Sequence, residues 1–240
     1  MLWRAYFSAP DPEIRTLALA LFDLDNTLLD GDSDYLWGRF LIEQGLVDAE
    51  TYERENQRFY DQYKAGTLDI QEFLSFQLRP LAEHPPEQLE RWRRQYLATH
   101  IEPIILPAGR ALIEHHRRQG DRPVVITATN RFITGPIAER LGIEHLLATE
   151  PEMHDGRYTG RVAGVPCFQA GKVTRLQQWL AEQSLTLDGA WFYSDSHNDL
   201  PLLSRVQHPV AVDPDETLER HARTQGWPVI SLRNVTAAPL

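Results

Sequence analysis

The sequence predicts an α/β protein: a doubly wound parallel sheet with a small all-helical insertion after the first strand. Three observations lead there. From Thr16 to Leu24 an unbroken apolar run has the pattern of a strand covered on both faces. Residues 33–100 then carry helix start and stop signals and no convincing strand. After "IEPIILP" strands and helices alternate, as parallel neighbours joined by crossovers require.

Taken in order, the opening "MLWRAYFSAPDPEIR" lacks an apolar h-region and carries charge throughout, so it is expected to be an N-terminal extension over residues 1–16 rather than a signal peptide. "LALALFDL" forms the first strand and "NTLLDGDSD" a polar turn. Four helices follow in "DYLWGRFLIEQGL", "DAETYERENQRFYDQYKAG", "DIQEFLSFQLRPLA" and "PEQLERWRRQYLATH". Each starts near Asp, Ser or Pro, and two close near Gly. Their aromatics, Tyr35, Trp37, Phe59 and Tyr63 among them, are expected to fill a small helical core. "PAGRALIEHHRRQG" then runs as a helix from Pro to Gly, and "RPVVITAT" is a second buried strand. "FITGPIAERLG" is a helix, "IEHLLATE" a short strand, and "HDGRYTGRVAGV" a hairpin excursion around Gly156 and Gly160. Helix "AGKVTRLQQWLAEQ", strand "GAWFYSD", helix "NDLPLLSRV", strand "HPVAVD", helix "ETLERHARTQG" and strand "WPVISL" complete the chain. The expected division is an α/β core of residues 17–30 and 103–240, interrupted by a helical unit at 31–102.

Composition narrows the function. The formal charge of −10 argues against a general nucleic-acid binder, although a few local cations or a metal can reverse the potential at one site. No apolar run approaches the roughly 20 residues of a membrane span, so no membrane role is expected. Cys167 is the one cysteine, which excludes an internal disulfide and suits a reducing, cytoplasmic compartment. Oligomeric state is left open.

Three of these strands end in polar residues that a core strand does not need. The first ends at Asp23-Leu24-Asp25-Asn26-Thr27, the second at Thr127 in "ITATN", and a later one at Asp195 and Asp199 in "YSDSHND". Lys172 follows Gly171 in the first turn of its helix. In open α/β sheets ligands bind in the crevice at the carboxyl ends of strands, so four acids, a hydroxyl and a lysine converge on one edge. Closely placed acids point to a hard cation with oxygen ligands, and Mg²⁺ suits a few carboxylates with waters and phosphate. Zinc is disfavoured because no His or Cys cluster falls at ligand spacing. Metal and lysine together suit a phosphoryl group.

This ordered set resembles the haloacid dehalogenase-like hydrolases, in particular their phosphoserine-phosphatase-like branch (subfamily IB). Its Asp-x-Asp-x-Thr motif is matched by Asp23, Asp25 and Thr27, its hydroxyl residue by Thr127, its lysine by Lys172 and its acidic pair by Asp195 and Asp199. The resemblance covers nearly all of residues 17–232 and implies a Rossmann-like core with a helical cap between the first two motifs. It also implies roles. Asp23 would be the nucleophile that forms an aspartyl-phosphate, and Asp25 the general acid and base. Thr127 and Lys172 would bind phosphoryl oxygens, with Asn198 as a further candidate contact. Asp23, Asp195 and the backbone carbonyl of Asp25 would hold Mg²⁺, while Asp199 orients Lys172 or a metal-bound water. Retention of Asp25, which dehalogenases of the family lack, favours phosphomonoester hydrolysis. Cap hinges are expected near Gly31 and Pro103 to Pro107.

For the substrate, a small-molecule phosphate ester, the resemblance places Asp32 where phosphoserine phosphatases carry a Glu that receives an ammonium. Turn chemistry is a competing explanation of Asp32. The stretches "FDLDNTLLDGDSDYLWGRFL" and "ITATNRFIT" also resemble a bacterial group in this branch associated with histidinol phosphate. That substrate has an ammonium and an imidazole but no carboxylate, and asks for acids and aromatics rather than Arg. Histidinol phosphate is therefore favoured; phosphoserine, or a broad range of small metabolites, is the alternative. A non-catalytic Mg²⁺- or partner-binding protein of the same fold is the reading from a different class. A receiver domain is set aside because Lys172 precedes Asp195.

Overall fold

The computed structural model describes residues 18–233. The expected extension at 1–16, and the start of the first strand at Thr16 and Leu17, lie outside the described residues. Within them the strands are β1 (Leu19–Phe22), β2 (Arg122–Asn130), β3 (His145–His154), β4 (Arg157–Ala163), β5 (Trp191–Ser194), β6 (His208–Val212) and β7 (Val229–Ile230). They form a single sheet in the order β4-β3-β2-β1-β5-β6-β7. All pairings are parallel except β3 with β4. The strand order turns at β1, which places its carboxyl end at the topological switch point where open α/β sheets bind ligands.

Alternation along β1 explains its apolar run. Leu19 and Leu21 enter one buried cluster with Val124, Ile126, Phe192 and Ala211, and Ala20 and Phe22 enter another with Val125, Tyr193 and Val210. Both sheet faces are therefore covered, as period-two side chains in a parallel sheet demand. Helices α7 (Ala170–Gln183), α8 (Leu200–Leu203) and α9 (Glu216–Gln225) supply Leu176, Leu202 and Leu218 to the first face. Helices α5 (Pro107–Arg118) and α6 (Arg131–Arg140) supply Leu112 and Ile137 to the second.

The insertion consists of α1 (Ser33–Glu43), α2 (Ala49–Ala65), α3 (Ile70–Glu83) and α4 (Pro86–Tyr96), and α4 runs on through a wide π turn at Leu97–Ile101. Asp32, Asp48 and Asp69 cap the first three through their carboxylates, Pro86 opens the fourth, and Gly66 ends α2 in the left-handed conformation. Its two connections to the sheet run side by side: Asp30 N–H donates to the Ile104 carbonyl at 2.8 Å, and Leu106 N–H to that of Leu28 at 3.1 Å.

Three expectations are corrected. The strand at "IEHLLATE" does not stop at Glu150 but continues to His154, and it turns at Asp155-Gly156 straight into β4, so the hairpin is an antiparallel edge of the main sheet and Gly160 lies inside β4. "NDLPLLSRV" gives a 3₁₀ turn at His197–Asp199 and only the short α8. The insertion's aromatics do not make a separate core: Trp37, Phe40, Tyr52 and Tyr96 belong to the same cluster as Phe22 and Tyr193 of the sheet, bridged where Trp37 meets Phe132 edge-on at 5.7 Å. Insertion and sheet thus bury their apolar side chains in one continuous cluster.

Helix α7 starts against the backbone. A Cβ on Gly171 would stand 2.0 Å from the Pro166 carbonyl oxygen, so only glycine allows the helix to begin here and aim Lys172 inward. Gly171→Ala is expected to cost about 1–3 kcal/mol through that clash. Urea or thermal unfolding should read the loss, and an unchanged midpoint would contradict the packing described.

Candidate active site

Asp23 stands just past the end of β1, and its N–H still donates to the Tyr193 carbonyl of β5 at 2.9 Å. The strand thus delivers a carboxylate that is 5% exposed to the middle of the carboxyl edge. Lys172 Nζ lies 2.7 Å from Asp23 Oδ1 and 2.8 Å from Asp199 Oδ2, and Ser194 Oγ donates to the same Asp199 oxygen at 2.7 Å. Burial alone would strip the lysine of its charge, but Asp199 and Asp23 outweigh it and hold the ammonium protonated well past the usual range.

The opposite side of Asp23 is richer in acid. The Thr27 hydroxyl sits between Asp23 Oδ2, at 3.4 Å, and Asp195 Oδ1, at 3.2 Å, and accepts the Asp195 N–H at 3.1 Å. Burial pushes the Asp23 carboxyl up to about 7, with Lys172 opposing and Asp199 adding to the rise. The Asp195 carboxyl is also driven well up, first by burial and then by Asp23 and Asp199. One ammonium therefore serves two buried carboxylates, with the half-buried Asp195 beside Asp23, and the surplus negative charge is what a dication would offset. Among the described residues no three acid, His or Cys side chains gather closely enough to hold an ion unaided. Asp23 and Asp195, joined through the Thr27 hydroxyl, are the two carboxylates that could share an ion whose remaining ligands are waters, as Mg²⁺ accepts.

Asp25 points elsewhere. Its Oδ1 accepts the Ser33 N–H at 2.6 Å, and its Oδ2 accepts the Thr129 hydroxyl at 2.8 Å. The side chain is thus held at the base of the insertion. Burial, then Asp32, raises its carboxyl to about 6, against the pull of those two donors. A carboxyl poised there can both give and take a proton near neutrality.

Thr127 is buried at the β2 end where pairing with β3 becomes irregular, and its oxygen accepts the Thr129 N–H at 3.2 Å. Its own proton is free to donate. Asn198 lines the same cavity with its amide engaged: Nδ2 donates to the Tyr63 carbonyl at 3.1 Å and to Ser196 Oγ, and Oδ1 accepts from Gln169 at 2.8 Å. It ties the end of α2 to the sheet edge, where a side chain at Gly66 would meet His197 Nε2 at 2.7 Å. Asp32 caps α1 by accepting the Tyr35 N–H at 2.9 Å, and it lines the cavity.

Asp23, Asp25, Asp32, Thr127, Lys172 and Asp199 thus share one cavity, and Asp195 lies at its side in a neighbouring cleft. Sequence reasoning missed Thr129 and Ser194, which orient Asp25 and Asp199. Period two along β2 puts Thr129 on the same face as Thr127, a signal that was there to read. Asp34, 5% exposed and also on the cavity wall, was passed over as turn chemistry.

A family model of the haloacid dehalogenase-like hydrolases matches residues 20–204. The chain belongs to that family. Histidinol-phosphatase of Neisseria meningitidis serogroup C is 48% identical over 219 residues, covering 90% of this chain and 99% of that one. A phosphoserine phosphatase of Mycobacterium tuberculosis is 31% identical over 225 residues, 92% of this chain and 73% of the other. Among solved structures, a Bordetella pertussis Tohama I protein of unknown function superposes with a TM-score of 0.86 at 43% identity, over 91% of this chain and all of that one. The phosphatase class expected from the sequence stands: the chain is a hydrolase of the phosphatase type. Among the described residues no helix is long and apolar enough to cross a membrane.

Removing the one ammonium tests the electrostatics. Lys172→Met leaves Asp23 and Asp199 facing each other in a buried site and should cost about 3–5 kcal/mol at pH 7 without added metal. Burial holds the Asp23 carboxyl above its value in the unfolded chain, so its protonation relieves the repulsion as pH falls. Urea unfolding should show a smaller deficit at pH 5 than at pH 7; an equal deficit at both would contradict the charge balance.

Proposed function

We propose that this hydrolase is a Mg²⁺-dependent phosphomonoesterase whose substrate is histidinol phosphate, turned over through a phosphoryl-Asp23 intermediate. The observation that carries the substrate choice is the charge at the organic end of the cavity. Asp32 and Asp34 line it together with Tyr35, Phe59, Tyr60 and Phe73, and no arginine does. None of the insertion's Arg39, Arg54, Arg58 and Arg79 lines it, and Arg58 is held by Glu55 and Glu72. Acid and aromatic surface suits an ammonium beside a ring. A carboxylate there would be repelled and left without a partner. Similarity to the Neisseria histidinol-phosphatase supports the same choice.

In this mechanism a carboxylate oxygen of Asp23 attacks phosphorus in line, and the bond from phosphorus to the alcohol oxygen breaks. Asp25 gives its proton to the departing alkoxide, so histidinol leaves neutral at that oxygen. Asp25, now ionised, takes a proton from the water that attacks phosphorus on the opposite side of the Asp23 ester. The bond to Asp23 breaks, and inorganic phosphate and the original carboxylate are released. Lys172 and the Thr127 hydroxyl hold the phosphoryl oxygens through both displacements. Asp199, braced by Ser194, keeps Lys172 aimed at the site. Mg²⁺, held by Asp23, Asp195 and the Asp25 carbonyl, would supply charge neutralisation that lets two anions meet. In this scheme residues 31–102 act as a cap that closes on the core of 17–30 and 103–240 and excludes water. Asn198 joins the two at Tyr63 and is a connector in addition to its expected place near phosphate.

The test compares kcat/KM for histidinol phosphate and phosphoserine with the purified enzyme and Mg²⁺. The phosphate contacts are common to both, so the ratio reports the organic end alone. Histidinol phosphate should win by at least about tenfold, and a preference for phosphoserine would overturn the substrate. EDTA or Asp23→Asn should abolish release from either compound, and Asp25→Asn should lower kcat by about 10²–10⁴-fold. Turnover that survives Asp23→Asn would overturn the mechanism.

A further inference from the structure

The insertion hides a polar group that its own fold leaves unused. Gln77, on α3, is 1% exposed, and neither its Oε1 nor its Nε2 has a hydrogen-bond partner. Buried amides are nearly always satisfied, because dehydrating a donor and an acceptor without replacing their bonds is destabilising. Other buried atoms in the insertion lack partners too, namely Ser33 Oγ, Trp37 Nε1, Tyr52 Oη, Gln62 Oε1 and Arg93 Nε. Of these residues only Gln77 also lines the cavity that holds Asp23 and Lys172. Its neighbours on that wall include Phe59 and Phe73, whose rings meet edge-on at 5.4 Å, and the aliphatic Leu68 and Ile70. The amide therefore sits in apolar surroundings, on the far side of the cavity from the lysine's sheet edge, with a donor and an acceptor both unclaimed.

We infer that Gln77 is the residue that recognises the heterocyclic ring of the substrate, its amide pairing with one ring nitrogen of an imidazole by accepting from the N–H or donating to the lone-pair nitrogen. The inference rests on the histidinol phosphate reading and deepens it by assigning the ring to α3, apart from the ammonium at Asp32 and Asp34. The chemistry matches. An imidazole carries one donor and one acceptor in its plane, and an amide can meet either tautomer. Flat aromatic walls accept the ring's faces, so a phenyl ring would fit them but leave the amide unmet. A site with buried, unpaired polar atoms rejects ligands that cannot satisfy them more strongly than any apolar wall can. Gln77 is thus a specificity residue that touches substrate, and it takes no part in phosphoryl transfer.

Wild type and Gln77→Leu, a change of similar volume, are compared on histidinol phosphate and on phosphoethanolamine, which has the phosphate and ammonium without the ring. The ratio of kcat/KM, ring over ringless, should fall about ten- to hundredfold in the variant, mainly through KM for histidinol phosphate. L-histidinol should weaken as a competitive inhibitor by a similar factor. In the free protein the variant's melting temperature should rise, since a buried amide without partners is replaced by an apolar side chain. A ratio that does not change, or equal losses on both substrates with a lowered melting temperature, would overturn the assignment and mark Gln77 as structural. Failure of the parent reading looks different: wild type would then prefer phosphoserine to histidinol phosphate. A wild-type preference for histidinol phosphate that persists undiminished in Gln77→Leu removes the role of Gln77 alone.

Discussion

The ion cluster at the end of β1 governs the rest of the molecule. Asp23 is delivered by a strand buried on both faces, so its carboxylate has almost no water to turn to. Lys172 answers half of that demand, and it is shared with Asp199. Its position depends in turn on Gly171, whose missing Cβ lets α7 start against the Pro166 carbonyl. The other half is unmet by protein alone, because Asp195 brings a further, half-buried acid beside Asp23 rather than a second cation. A site organised in this way favours ligands that carry the missing charges: a dication first, and then the phosphoryl oxygens that the dication and lysine attract.

The same logic operates with opposite sign a few ångströms of chain away. Asp25, Asp32 and Asp34 come from one turn, and among the residues lining the cavity Lys172 is the single cation. Burial raises Asp32, and it raises Asp34 well above the ordinary carboxylate range, with Asp32 and Asp25 adding to the latter. The cavity is thus polar at two ends in different ways, cation-seeking at the base of the insertion and anion-accepting where Lys172 and Thr127 meet. A substrate that carries a phosphate at one end and an ammonium a few bonds away matches both. The aromatic stretch beyond, with Gln77 set in it, gives such a molecule a third point of attachment.

Much of this was legible in the chain itself. Polar residues at strand ends, where an ordinary core strand has no use for them, located Asp23, Thr127 and Asp195, and helix-start logic placed Lys172. The order of strands and helices gave the parallel core because crossover geometry leaves few alternatives. What escaped was information carried by tertiary proximity. Gln77 sits on a helix with nothing unusual next to it in sequence, and its isolation exists only because α2 and α3 enclose it. Asp34 looked like a turn residue because it also begins a helix. The length of β3 and its direct passage into β4 were hidden by "EPEMHDG", whose polar residues suggest a loop but are tolerated in an exposed edge hairpin. The shared core of insertion and sheet was likewise invisible, since contacts such as Trp37 with Phe132 join segments almost a hundred residues apart.

The most direct measurement concerns Asp23 itself. Enzyme mixed with Mg²⁺ and histidinol phosphate, quenched in acid within one turnover and digested, should yield the peptide around Asp23 with the added mass of one phosphoryl group, and Asp25→Asn, which slows both formation and hydrolysis of the adduct, should delay its appearance. A phosphoryl group found on another residue, or product formed with no adduct at any quench time in either protein, would contradict the account.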